Sequence, residues 1–345
     1  MLPRVARPAS LADLEVADLE TVRLLLRGDS VVDWHKLHFT DHAAVDRFLR
    51  LCELDPTSDA ELDRLEAIRA DAVDYLTRVY QLALPDEIAD DVPARDLFLI
   101  ASRTGPHQRA ACVVLKVMHI IYHLDARELA TTLAISDNDI FSQVEESVTR
   151  MFDELRTAGV PVVEFSWSRK TKESQITKLL LKRETSAARV FDRLRFRLIV
   201  RNAADLVPTL RILLHRCIPF NYIVPGQTVN TLIDLDSLKV LQQEGFDTEE
   251  GGATPVSNEF SGKGFRLLNF VADLPVRVES LMPAEALAEN GNHVVFVTAE
   301  FQIMDKGTAE ANEQGENSHT QYKHRQHQHV RVRLLREPRG RPGGG

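Results

Sequence analysis

Apolar residues in the first half of the chain recur near the helical period. Val45, Phe48 and Leu49 form one such row, and Thr40 ahead of them predicts a capped helix start. After Ser58, the positions Leu62, Leu65, Val73, Leu76 and Tyr80 predict a longer helix with one buried face, punctuated by Pro85. Gly105-Pro106 marks another break. The row Val113, Leu115, Val117, Ile120 and Ile121 then carries so little charge that it predicts a helix buried on several sides. Ile140 to Leu155 reads as one more amphipathic helix.

The pattern changes at Gly159-Val160-Pro161. Val162, Val163 and Phe165 predict a short strand leading into a basic helix that contains Lys170, Ser174 and Lys178. Strands are expected over 190–200, 220–224, 265–272 and 293–303, with a helix over 206–214. Pro225 to Lys263, where Asp, Glu and Gly cluster, reads as a connection or small insertion. The expected fold class is α+β. A helical scaffold or regulatory domain over 1–158 precedes a mixed β-sheet domain over 159–330, and 331–345 form a flexible basic tail.

Composition narrows the class. In 345 residues, 44% hydrophobic and 27% charged positions describe a globular protein without a membrane-crossing run, and Met-Leu-Pro-Arg at the start lacks the apolar core of a secretory signal. Cys52, Cys112 and Cys217 make neither a zinc spacing nor a disulfide framework, so a cytoplasmic location is expected. The formal charge of −9 argues against broad adhesion to nucleic acid, yet residues 169–216 hold 13 Lys or Arg against 4 Asp or Glu. That stretch is where an anionic ligand would be sought.

Three groups there can carry chemistry. Lys170, Ser174 and Lys178 have i,i+4 spacing, so on a helix they share a face and can clamp a polyphosphate; a solvated basic face has the same spacing. Asp192 sits at a strand entrance, where a carboxylate can hold magnesium, and Arg197 five residues on can reach a phosphate oxygen; a half-exposed strand with Arg193, Arg195 and Arg197 turned to solvent would read alike. In Glu300-Phe301-Gln302-Ile303, period-two alternation puts Glu300 and Gln302 on one face and buries Phe301 on the other. Glu300 could meet Asp192 across the sheet and share a divalent cation with it.

Together these stretches resemble the synthetase domain of RelA/SpoT-type (p)ppGpp synthetases, a nucleotidyltransferase-like fold, over about Ser168 to Lys323. Lys170, Ser174 and Lys178 fall on the family's Lys-x-x-x-Ser-Ile-x-x-Lys series, with Gln175 in the isoleucine place. Asp192 to Arg197 falls on its Asp-x-x-Gly-x-Arg entrance, with Arg195 in the glycine place. Glu300-Phe301-Gln302-Ile303 resembles its Glu-Ile-Gln-Ile segment, followed at family spacing by Glu313, Gly315, His319, Tyr322 and Lys323. The acceptor segment Gly-Tyr-x-Ser-x-His corresponds to Gly264-Phe265-Arg266-Leu267-Leu268-Asn269, which keeps a ring and loses the polar groups. Met304 and Asp305 replace an Arg-Thr pair.

The resemblance implies magnesium-dependent transfer of a pyrophosphoryl or nucleotidyl group from ATP to a nucleotide or RNA hydroxyl. Asp192 and Glu300 would be the catalytic and metal-binding residues, and Lys170, Ser174, Lys178 and Arg197 would hold ATP. Phe265, Asn269, Gln302 and His319 would face the acceptor. A non-catalytic nucleotide-sensing or protein-interaction module is the alternative. His119, His123 and Asp125 can also be imagined as a metal-dependent phosphohydrolase site, although the chain does not show a convincing arrangement of the family's hydrolase type.

Overall fold

A computed structural model describes residues 21–23, 25–26, 39–133, 135–182, 193–234, 264–282, 293–314 and 319–335. After helical residues at 21–23 and 25–26, the described residues form α1 (His42–Leu51), α2 (Asp59–Tyr80), α3 (Asp96–Ala101), α4 (Gln108–Thr132) and α5 (Asp137–Thr157). The α1 row Val45, Phe48 and Leu49 is buried as expected, but the cap is Asp41, whose carboxylate accepts from Ala44 N at 2.8 Å. Aspartate's side chain reaches the free amide that Thr40, one residue too early, cannot. In α2 the buried stripe runs through Leu65, Ile68, Ala72 and Leu76, while Tyr80 at the last turn is 61% exposed. α4 is less enclosed than its composition predicts, since Ile120 and Leu124 face outward.

The chain turns at Gly159, whose φ of 86° lies in the left-handed region glycine enters without a Cβ clash. It then forms β1 (Val162–Arg169), α6 (Lys172–Lys182), β2 (Leu194–Val200), α7 (Leu206–Arg216), β3 (Val229–Asn230), β4 (Leu268–Arg277), β5 (Val294–Asp305), α8 (Lys306–Asn312) and α9 (His319–Leu334). The five strands make one mixed sheet in the order β1-β2-β5-β4-β3. β2 and β5 pair in parallel at its centre, and the other pairings are antiparallel. The two strands read from 190–200 and 293–303 therefore share a sheet. The α+β class holds.

Two expected elements differ. The 220–224 segment makes a 3-10 turn at Phe220–Tyr222 and an isolated bridge from Ile223 to Ala272, and Phe220, Asn221, Tyr222 and Ile223 are all buried in it. The short strand β3 lies in the region read as connection, most of which falls outside the described residues.

One hydrophobic cluster runs from Val22 through the helices to Ile303, so helical and sheet portions share a core across position 158. Phe48 of α1 stacks on Phe220 at 5.2 Å, and Phe152 of α5 on Phe165 of β1 at 3.6 Å. Arg277 at the end of β4 bonds Glu61 of α2 and Glu279, each at 2.9 Å.

Candidate nucleotide site on the sheet

Strand register sorts the sheet into two faces. Phe196, Phe301 and Phe270 lie side by side on three neighbouring strands, with ring centroids 5.3 and 5.2 Å apart, all but fully buried in the core. Their sequence neighbours must point the other way. Arg195 pairs with Glu300 across the parallel ladder, Arg197 with Gln302, and Asn269 with Gln302 from the opposite side. The predicted site residues Glu300, Gln302, Arg197 and Asn269 thus meet on one face, and Arg195 joins them.

On that face Glu300 is 7% exposed, and the Arg195 Nε donates to its Oε2 at 2.7 Å. The Gln302 amide donates to the other carboxylate oxygen at 3.4 Å. Arg197 reaches Glu313 at 3.4 Å through Nη2, whereas its buried Nε has no hydrogen-bond partner. The buried Asn269 Oδ1 also has none. A buried donor or acceptor left unpaired costs about 1–3 kcal/mol, so both atoms call for a ligand or water.

Phe265 closes one end of this face. Its half-buried ring packs against Ile199, Leu267, Met304 and Ala309, a small apolar cluster separate from the main core. The adjacent Asp305 caps α8, accepting from Thr308 N at 3.1 Å and Thr308 Oγ1 at 2.6 Å. Burial raises its pKa, but the Thr308 hydrogen bonds and neighbouring amides outweigh this and leave the carboxyl below the usual range. Its charge is therefore spent on the helix start and not on the face.

The basic series is split between two elements. Lys170 lies just after β1, held by its amide to the Arg193 carbonyl at 2.8 Å, and α6 begins only at Lys172. Ser174 and Lys178 are on α6, with Thr171 Oγ1 donating to Ser174 Oγ at 3.0 Å. The expectation that all three share one helix face fails because Thr171 turns the chain into the helix after Lys170. Gln175, in the isoleucine place, has a role of its own: its amide donates to the Lys170 carbonyl at 3.0 Å and pins that junction. Asp192 lies outside the described residues. His319 begins α9.

A polar cluster at the other end of the face has histidines that the sequence singled out only as a remote phosphohydrolase option. His123 of α4 bonds Asp273 at 3.2 Å, and Thr298 donates to the same carboxylate at 2.5 Å. His119, one turn earlier, stacks on His123 at 6.5 Å and meets Asn221 at 3.1 Å. Burial first, and then His123, push its pKa down to about 4. The four-residue spacing was the readable signal; Asp273 and Asn221, far away in sequence, were not.

No family model matches the sequence, and no curated protein matches it. Solved structures do. Small alarmone synthetase 1 from Bacillus subtilis, bound to its product pppGpp, is 15% identical over 62% of this chain and 84% of its own, with a TM-score of 0.32. Small alarmone synthetase 2 from the same organism is 13% identical over 64% of this chain and 98% of its own, TM-score 0.29. A GTP pyrophosphokinase family protein from Streptococcus pneumoniae gives 15%, 56%, 82% and 0.29. The chain is similar to small alarmone synthetases.

Whether magnesium suits the face turns on its donors. Among the described residues no group of three or more His, Cys, Asp or Glu is placed to hold a metal ion, and Glu300 is already neutralised by Arg195. These residues alone do not fit a divalent cation, which would have to exchange with the guanidinium. They fit an anion better.

Proposed function

We propose that the open face of the sheet binds the phosphates of a nucleotide, and that the chain serves as a nucleotide-sensing module in which Glu300 is held inactive by Arg195. The observation that carries this reading is the Arg195–Glu300 pair at 2.7 Å, at a position where the synthetase pattern has glycine. Arg197 supplies a guanidinium with a free buried Nε, suited to a phosphate oxygen. Lys170 and Lys178, at the β1–α6 junction and on α6, are candidates for further phosphate charge.

A second reading is favoured by what remains on the donor side. Glu300, Arg197 and the split basic series are the residues that pyrophosphoryl transfer from ATP would need. In that reaction an acceptor hydroxyl, on a nucleotide or an RNA end, bonds the β-phosphorus while the bond to the α–β bridging oxygen breaks and AMP leaves. The hydroxyl proton would pass to Glu300. That requires Arg195 to swing away first.

Calorimetric titration with ATP and GTP tests the first reading. Arg197→Ala should weaken binding about tenfold, the loss of one charge-assisted contact; unchanged affinity would remove the assignment. The two readings separate when AMP release is followed with β-labelled ATP, nucleotides and structured RNA. Binding without release supports the module, and release by the wild type that vanishes in Glu300→Gln replaces it with the transferase. A gain of release in Arg195→Gly would show that the arginine is what holds the chemistry back.

A further inference from the structure

Of helices α1 to α9, α7 and α9 contain no Asp or Glu, and α9 is the longer and carries more basic residues. Between His319 and Leu335 the sequence has no Asp or Glu, and it carries Lys323, His324, Arg325, His327, His329 and Arg331. All of these but the half-buried Arg325 are exposed. α9 packs beside α6, where Glu173 is the single acid among Lys172, Lys178 and Lys182. Between the two helices lies a groove of about 350 Å³ lined by Thr177, His327, Val330, Arg331, Leu334 and Leu335. In a chain of net charge −9 this basic surface is local, not a consequence of composition.

From this geometry we infer that the α6–α9 surface binds the phosphate backbone of a nucleic acid strand. An acid-free helix concentrates positive potential where a polyanion can release its counterions, the main source of affinity for such ligands. An anionic membrane would want the same charge together with a continuous apolar face. α9 has none: Lys323, His324 and Arg325 are consecutive and project in different directions around the helix, and exposed Val332, Leu334 and Leu335 are confined to its last turn. Lys178 of α6 is shared with the proposed nucleotide site, so the test substitutes residues of α9 alone.

The test is fluorescence anisotropy of a labelled single-stranded RNA oligonucleotide with the full chain across a salt series. Affinity should fall with salt at a slope of about 0.7 per phosphate contacted, and the joint variant Lys323→Gln, Arg325→Gln, Arg331→Gln should bind at least about tenfold more weakly with a slope shallower by about 2. Circular dichroism checks that the joint variant is folded. If it is not, Arg331→Gln alone, at an exposed position, should still weaken binding and flatten the slope. DNA of the same sequence binding equally supports recognition of the backbone, and preference for RNA supports a strand read also through its 2′-hydroxyls. The proposal is overturned if the folded variant binds as the wild type does, or if the wild type ignores both strands at low salt and binds anionic phospholipid vesicles instead.

Discussion

In the proposed function, Arg195 is the side chain that separates a nucleotide-sensing module from a transferase, through its bond to Glu300. Period-two alternation made the facing of Glu300, Phe301 and Gln302 readable, because neighbours along a strand alternate whatever the fold. The partner of Glu300 was not readable, since Arg195 is 105 residues away and the pairing depends on strand register. His119 offers a separate test at this scale. It is held neutral, with a pKa near 4 in the fold against 6.5 for the free side chain, so between those values the unfolded chain binds more protons and stability falls as pH drops. Between pH 7 and pH 5 the wild type should lose about 2 kcal/mol more than His119→Gln in urea unfolding. Equal losses would mean that His119 is not the buried neutral base described.

At the level of elements, the central strands were the most legible because β2 and β5 are dense in apolar residues and must be buried on the core face. Phe301 sits in the middle of the three-ring row, 1% exposed. Phe301→Ala should therefore cost about 3–5 kcal/mol, read as a lower denaturation midpoint with unchanged slope. A loss below about 1 kcal/mol would show that the row is loosely packed. Helix starts were harder to place. Lys170 reads as helical by spacing, but its amide is committed to the sheet through the Arg193 carbonyl, and such a long-range hydrogen bond leaves no trace in local sequence. The exposure of Ile120 and Leu124 on α4 was also hidden, since apolar composition does not say which side of a helix the rest of the chain covers.

For the whole molecule, the compositional change at Gly159-Val160-Pro161 marks where helices give way to strands, while the packing runs straight across it. Phe48–Phe220, Phe152–Phe165 and the Arg277 link to Glu61 all join the two portions. A single cooperative unfolding transition is expected, with circular dichroism and intrinsic fluorescence coinciding; two separated transitions would show that the portions fold independently. The central parallel pairing also bears on how the chain acquires its shape. β1 and β2 can form an antiparallel pair early, as can β4 and β5, but β2, finished at Val200, has no neighbour on its inner edge until the ribosome has passed Asp305. At about 5–20 residues per second that edge stays open for several seconds, an unpaired strand rich in apolar residues. Capture by chaperones during synthesis, and aggregation when expression outruns them, would concentrate on the stretch from Leu194 to Val200.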